Sequence, residues 1–258
     1  MAVYVAESGP AEAPTIVFLH GGGASGWMWG PQVERLGDYH CLVPDLPEHG
    51  RSVAEKPFTM AGAVAQIADL IRTRAHGGRA HVVGLSEGGQ LTLWLLSRHA
   101  DLVDHAIASG TLVRPMRGAG LFGVSLRLYW PIRTWGFLVR ANMKNAGIPM
   151  RYFADSLFDL RVMSPAGMTR AVAEGLRNTL PPGLVNVQVP TLIVHGEKEP
   201  KSIHASARDL LAAMPSARGY VAPGLGHPWN LQAPDLFTNM VRAWITDRPL
   251  PTELRPLA

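Results

Sequence analysis

His81-Val82-Val83-Gly84-Leu85-Ser86-Glu87-Gly88-Gly89-Gln90 runs from an apolar, β-rich segment through a glycine-rich bend into a helical pattern that continues to His99. Its centre, Gly84-Leu85-Ser86-Glu87-Gly88, is a G-x-S-x-G pentapeptide. A sharp turn between strand and helix strains the backbone at the serine and lifts its hydroxyl above the sheet edge, and the flanking glycines leave room for that turn. The pentapeptide alone is a weak signal, because small residues cluster by chance. The strand on one side and the helix on the other are what make Ser86 a candidate nucleophile.

The same alternation extends outward in both directions. Thr15–Leu19 (TIVFL), His40–Val43, His105–Ala108 and Thr191–Val194 are continuous apolar runs, as expected of strands buried on both faces. Ala2–Glu7 alternates weakly and reads as an edge strand, and Tyr220–Ala222 reads as the last strand. Helical patterns over Met60–Arg74, Glu87–His99, Ser202–Met214 and Pro234–Thr246 lie between or after them. Strands alternating with helices predict an α/β protein with a mostly parallel sheet and helices on both faces.

Residues 113–183 break the pattern. The segment is helix-like, rich in Arg, Met and aromatics, and interrupted by Pro131, Pro149 and Pro165. It holds ten Lys and Arg against three acids, a net +7, while the rest of the chain nets −3. We read residues 1–112 and 184–258 as the core and 113–183 as a helical cap inserted between two core strands. The tail after Asp247, with Pro249, Pro251 and Pro256, is expected to lie loosely on the surface.

A serine hydroxyl needs a base to take its proton. On such a turn the chain order is Ser, acid, His, which leaves His195, His204 and His227 of the ten histidines. His195 ends an apolar strand and His204 starts a helix. His227 lies in Gly224-Leu225-Gly226-His227-Pro228, a loop at the carboxyl end of the last strand, and is the candidate base. The acid should follow Thr191–Val194, in His195-Gly196-Glu197-Lys198-Glu199-Pro200. Glu199, three after the glycine, is the candidate, with Glu197 as its rival. Its role would be to hold the imidazole tautomer and stabilise the imidazolium. An oxyanion needs fixed donors. The Gly22 N–H, in His20-Gly21-Gly22-Gly23, is the first candidate, with Gly23 as the alternative, and the Glu87 N–H is the second.

These stretches resemble the α/β-hydrolase superfamily, in its branch of small carboxylesterases, aryl esterases and methylesterases. His20-Gly21-Gly22-Gly23-Ala24-Ser25-Gly26-Trp27-Met28-Trp29 is similar to the HG-and-Trp segment after the family's third strand. Asp45-Leu46-Pro47-Glu48-His49-Gly50-Arg51-Ser52 resembles its D-x-x-G-x-G-x-S turn, with Glu48 in place of the first glycine. Gly196–Pro200 resembles its G-x-x-D-P acid turn with Glu199 in place of Asp. The resemblance spans residues 2–112 and 184–246 and implies the α/β-hydrolase fold and hydrolysis of a small-molecule ester. Serine at the nucleophile position argues against the dehalogenase and epoxide-hydrolase branches, which use Asp. Pro228 after the histidine argues against hydroxynitrile lyases, which need Lys there. Cleavage of a C–C bond or perhydrolysis by the same triad, or a slow-turnover ligand receptor, are the competing readings.

Trp27, Trp29 and Trp229 flank the candidate site in sequence and, with Gly23, Trp130 and Trp135, are candidate pocket residues, ordinary core being the competing reading of Trp27, Trp29 and Trp229. Met116, Leu121 and Phe122 join them as candidate entrance residues of the cap. Cys41 is the single cysteine, so an internal disulfide and a thiolate metal cluster are excluded. No cofactor is expected. The basic cap carries no nucleic-acid recognition motif, so no nucleic-acid partner is expected. No run approaches the roughly 20 apolar residues of a membrane span. Ala2–Ala6 is short for a signal peptide and lacks a basic start, so a cytoplasmic location is expected. Nothing in the sequence bears on oligomeric state.

Overall fold

A computed structural model describes residues 3–115 and 129–257. Its frame is one sheet built from β1 (Val5–Ser8), β2 (Thr15–Leu19), β3 (His40–Pro44), β4 (Ala80–Leu85), β5 (Val103–Ser109), β6 (Thr191–Gly196), β7 (Ala217–Ala222) and β8 (Arg255–Pro256). Their spatial order is β1-β3-β2-β4-β5-β6-β7-β8. Strands β2 to β7 run parallel, while β1 and β8 pair antiparallel at the two edges.

The continuous apolar runs follow from burial on both faces. Every residue of β2, β3, β4 and β6 is buried. Side chains alternate between two cores, as the period of a strand dictates. Val17 and Leu19 of β2, with Ala80 and Val82 of β4, face one core, and Ile16, Phe18, Val83 and Leu85 face the other. The first core is closed by α2 (Met60–Arg74), α3 (Glu87–His99) and, later in the chain, the helix Lys201–Ala213. The second is closed by α1 (Gly30–Arg35) and the helix Pro234–Ile245, through Trp29, Phe237, Val241 and Trp244.

The tail departs from expectation. Arg255–Pro256 adds a strand to the sheet edge beside Tyr220 and Val221. Leu254 is buried, and the Leu257 N–H donates to the Gly219 carbonyl at 2.8 Å. The prolines remove few donors that this short pairing needs, so they do not prevent it.

Between β5 and β6 the described residues form three helices, α4 (Gly136–Ala146), α5 (Phe153–Val162) and α6 (Pro165–Arg177). The prolines that interrupt the pattern start helical turns. Pro131 lies in the first turn of Trp130–Ile132, and Pro149 precedes Met150–Tyr152. Pro165 is the first residue of α6, behind a Ser164 side chain that caps the Gly167 N–H. These helices are tied to the core by specific polar contacts. Asp159 of α5 accepts from Ser25 Oγ at 2.8 Å and from Trp27 Nε1 at 2.6 Å. Arg170 of α6 pairs with Glu48. Glu174 accepts from the Met60 N–H, and the Gly175 carbonyl accepts from Gln90. Among the described residues no helix is long and apolar enough to cross a membrane.

Candidate active site

Ser86 stands between β4 and α3 with φ 58° and ψ −114°. A positive φ is rare for a residue with a side chain, and holding one costs on the order of 1–3 kcal/mol. Close packing around the turn imposes it. A Cβ on Gly84 would lie 2.2 Å from the Gly88 carbonyl oxygen, and one on Gly88 would lie 2.0 Å from the Leu19 carbonyl oxygen. The two glycines of the pentapeptide are therefore needed where the turn closes on itself and where α3 presses on the end of β2.

His227 follows β7 in the loop before α8 (Trp229–Gln232), the residues Lys201–Ala213 being α7 and Pro234–Ile245 α9. Its Nδ1 lies 2.5 Å from Oε2 of Glu199, whose side chain is fully buried. The other carboxylate oxygen of Glu199 accepts from the Gly196 N–H at 3.0 Å. A carboxylate can only accept, so Nδ1 carries the proton and Nε2 is left as the acceptor. Gly110, at the end of β5 with φ 58°, makes room for this pair. A Cβ there would lie 2.9 Å from His227 Nδ1 and 3.0 Å from both Glu199 oxygens. Glu197, the rival acid, points elsewhere: it accepts from the Gly224 N–H at 2.7 Å and pairs with Arg255. His195 is buried against His204 at 4.2 Å and bonds the Gly196 carbonyl, as a packing residue.

Ser86 and His227 open onto one cavity of about 760 Å³. Gly22, Gly23 and Trp27 line it from the core, and Tyr129, Val139, Met143 and Leu160 line it from the helical segment. The turn that carries Gly22 is braced by His20, whose Nδ1–H donates to the Gly21 carbonyl at 2.9 Å while Nε2 accepts from the Leu46 N–H at 2.8 Å. Burial holds His20 neutral, with its pKa lowered to about 4. Asp45 braces the next residues by accepting from the N–H groups of Gly26 and Arg51, both at 2.8 Å.

Glu87 does not line the cavity. Its N–H is the first of α3, where a helix leaves donors without internal partners. Its side chain turns behind the glycine turn. One carboxylate oxygen would stand 3.3 Å from a Cβ on Gly22, lies 3.7 Å from His49 Nε2 and has no hydrogen-bond partner. Burial, with a smaller push from Glu174, raises its pKa to about 8. The buried His49 beside it is held neutral, with its pKa lowered to about 4 by desolvation and by His20.

These shifts have opposite consequences for stability. Between pH 4 and 6.5 the unfolded chain would protonate both histidines while the folded chain does not, so that contribution grows with pH. Glu87 works the other way. The folded chain keeps its proton up to about pH 8 while the unfolded chain releases it near the ordinary carboxylate value of 4.5, so stability falls as pH rises. Above pH 6.5 the histidine contribution is complete, and the Glu87 contribution remains. Scanning calorimetry should show the melting temperature falling between pH 6.5 and 8 in the wild type and much less in Glu87→Gln. Parallel curves would mean that Glu87 is already ionised at pH 6.5.

The tryptophans divide. Trp27 lines the cavity, positioned by its bond to Asp159 and its packing on Tyr152. Trp29 and Trp229 are core residues, which corrects their candidacy for the pocket and bears out the competing reading. Trp29 is fully buried between Phe18 and Phe237, and Trp229 packs on Phe237 at 4.4 Å and donates to Ser109 Oγ. Nearness in sequence to His227 or the glycine turn did not set their direction. Trp130 sits under Arg133, and Trp135 is 52 % exposed beside Phe137; neither lines the cavity. Met116, Leu121 and Phe122 lie outside the described residues.

Three residues not singled out from the sequence also bear on the site. Gln232 accepts from the Gly226 N–H and donates to the Ala146 carbonyl, both at 2.8 Å, and so joins the His227 loop to the end of α4. Asp159 was visible only as an acid inside an apolar helical run. Gly110, directly after a strand end, is the one that carried a sequence signal.

The model of the alpha/beta hydrolase family matches residues 16–239. The chain belongs to that family. It is 31% identical over 245 residues to an AB hydrolase superfamily protein of Gibberella zeae, covering 92% of this chain and 82% of the relative. It is 25% identical to the 2-hydroxy-6-oxo-6-(2'-aminophenyl)hexa-2,4-dienoic acid hydrolase of Metapseudomonas resinovorans, covering 90% of this chain and 84% of that one. In fold it is similar to the enol-lactonase of Burkholderia xenovorans, with a TM-score of 0.80, 24% identity, and 95% and 96% of the two chains covered.

Proposed function

We propose that this α/β hydrolase cleaves a carboxylic ester through an acyl-enzyme, with Ser86 as nucleophile, His227 as general base and Glu199 as the acid that orients it. The observation that carries this reading is the shared cavity. The strained Ser86 and the half-buried His227 open onto the same space, and a buried carboxylate holds His227 in the tautomer whose Nε2 can accept a proton.

In the first step Ser86 Oγ bonds to the ester carbonyl carbon while His227 Nε2 takes its proton. The carbonyl oxygen becomes an oxyanion, received by the N–H groups of Gly22 and Glu87. Collapse breaks the ester C–O bond, and the leaving alkoxide takes the proton from His227. Water then attacks the acyl-serine with His227 again as base, and the second collapse releases the carboxylic acid and restores Ser86. Glu199 stabilises the imidazolium in both halves. The described part of the segment between β5 and β6 acts as a cap that roofs the acyl-enzyme and shapes the cavity.

The apolar share of the lining, from Trp27, Met28, Leu85, Met143 and Leu160, suits the hydrocarbon part of an ester. An enol lactone is a cyclic ester, so the activity named for the Burkholderia xenovorans protein of this fold is compatible with the same chemistry. The test is a panel of p-nitrophenyl esters of increasing acyl length, read together with fluorophosphonate labelling. Hydrolysis should change gradually along the series, because a hydrophobic pocket discriminates by only about 1–3 kcal/mol per methylene. The label should be found by mass spectrometry on the peptide that contains Ser86. Labelling elsewhere, or no turnover of any ester, would refute the proposal.

A further inference from the structure

The lining of the 760 Å³ cavity carries charge of one sign. Lys144, in the last turn of α4, and Lys198, in the turn that leads to Glu199, both line it, and no Asp or Glu among the described residues does. This is not a general property of the surface. The hollow of about 570 Å³ beside β1 takes in Glu7, Asp45 and Asp155. A neighbouring hollow of about 510 Å³ shares Lys144 with the cavity and adds Arg140, and again no acid among the described residues lines it.

Neither lysine has an ion-pair partner among the described residues. Glu197, next to Lys198 in the chain, is engaged by Arg255 and the Gly224 N–H and attracts Lys198 only through space. By contrast, Glu48, Asp209 and Asp38 each hold a guanidinium.

The helical segment also brings hydroxyl donors that lack acceptors. Ser156 Oγ, on the cavity side of α5, is buried and has no hydrogen-bond partner. Buried hydroxyls in folded proteins are normally satisfied, so this orphan marks a place where the lining is short of an acceptor. Tyr129, in the same lining, has its oxygen occupied by Asn142 Nδ2 at 2.9 Å, which leaves its own proton to donate. Two ammonium groups and two hydroxyl donors, without a competing acid, are the complement of an anion. Ammonium and hydroxyl donors can hold a carboxylate or a phosphate, and competition by inorganic phosphate tells the two apart.

We propose that the substrate carries a carboxylate remote from its scissile ester, and that Lys144 is its principal counter-charge, with Lys198 adding to the attraction. This rests on the ester-hydrolase reading only for the identity of the scissile bond. The carboxylate subsite itself can be tested without turnover.

The kinetic arm compares mono-p-nitrophenyl glutarate with p-nitrophenyl valerate, which differ in a terminal carboxylate on acyl chains of the same carbon count. Wild type should favour the glutarate by about tenfold or more in kcat/KM. Lys144→Gln should reduce that preference about fivefold or more, through KM, and Lys198→Gln should reduce it less. Lys56→Gln, outside the cavity, should leave the preference unchanged, and added salt should lower it in the wild type. The binding arm follows free glutarate by ligand-observed NMR, with inorganic phosphate as competitor. Glutarate should bind the wild type and bind Lys144→Gln at least about fivefold more weakly, with phosphate displacing it poorly. If glutarate fails to bind, binds all variants alike, or is displaced by equal phosphate, the carboxylate subsite is overturned. If neither ester is hydrolysed while the NMR pattern holds, the ester-hydrolase reading fails and the subsite stands.

Discussion

Ser86→Ala should fold as the wild type does and lose on the order of a millionfold in kcat toward any ester the wild type accepts, the size of loss typical when a nucleophilic serine is removed. The expectation follows from what the remaining groups can do. Without Oγ no acyl-serine can form, and His227 can only deliver water directly to a carbonyl that the turn was not shaped to offer it. Residual rate would come from binding and from the Gly22 and Glu87 N–H groups, which remain because they belong to the backbone. The fold should tolerate the change. Ser86 is held at φ 58° by Gly84, Gly88 and the backbone bond from its own N–H to the Ser109 carbonyl at 2.8 Å, none of which uses the hydroxyl. Alanine is no better suited to a positive φ than serine, so the strain is retained and not relieved. Calorimetry should place the melting temperature of the variant within a few degrees of the wild type. A variant with near wild-type turnover, in a preparation shown by mass spectrometry to contain no wild-type chain, would remove Ser86 from the mechanism.

The features legible in the sequence were those set by local geometry and burial. Thr15–Leu19 reads as a two-sided strand because each residue is apolar or β-branched, and all five are buried. The Ser86 turn reads from its glycines because the close approaches that require them occur within the turn and against the adjacent strand. Glu199 reads from its position in a short turn after a strand, whose length limits where its carboxylate can reach. Features that depend on which distant elements meet were not legible. Trp29 and Trp229 have the same sequence credentials as Trp27, but only Trp27 faces the cavity, because Asp159 from α5 holds it there. Gln232 looks like an ordinary polar helix residue until α4 arrives with the Ala146 carbonyl. The tail looks like a loose proline-rich end until Gly219 offers its carbonyl to Leu257.

Glu199→Gln should cost about 10⁴-fold in kcat while leaving the fold intact, the size of loss seen when a triad acid becomes an amide. The substitution keeps the shape and changes which atoms carry protons. Glu199 uses one oxygen to accept from the Gly196 N–H and the other to accept from His227 Nδ1. Glutamine can keep the first bond with its own oxygen. Its NH₂ then faces Nδ1, and two donors cannot share that 2.5 Å contact. The imidazole relieves the clash by moving its proton to Nε2, where it can no longer accept the proton of Ser86. The imidazolium of the transition state also loses its buried counter-charge. Glu197→Gln, directly after β6, makes a contrasting control. It removes the charge from an exposed pair with Arg255, a kind of interaction worth little in water, and should change kcat by no more than about threefold. The pair of variants therefore separates an acid that orients the base from an acid that only decorates the same turn. Equal losses in the two, or a larger loss in Glu197→Gln, would show that His227 takes its orientation from another group. Proton NMR of the imidazole Nδ1–H, expected far downfield in the wild type and absent in Glu199→Gln, reads the tautomer directly and would reveal whether a loss of rate has the cause argued for it.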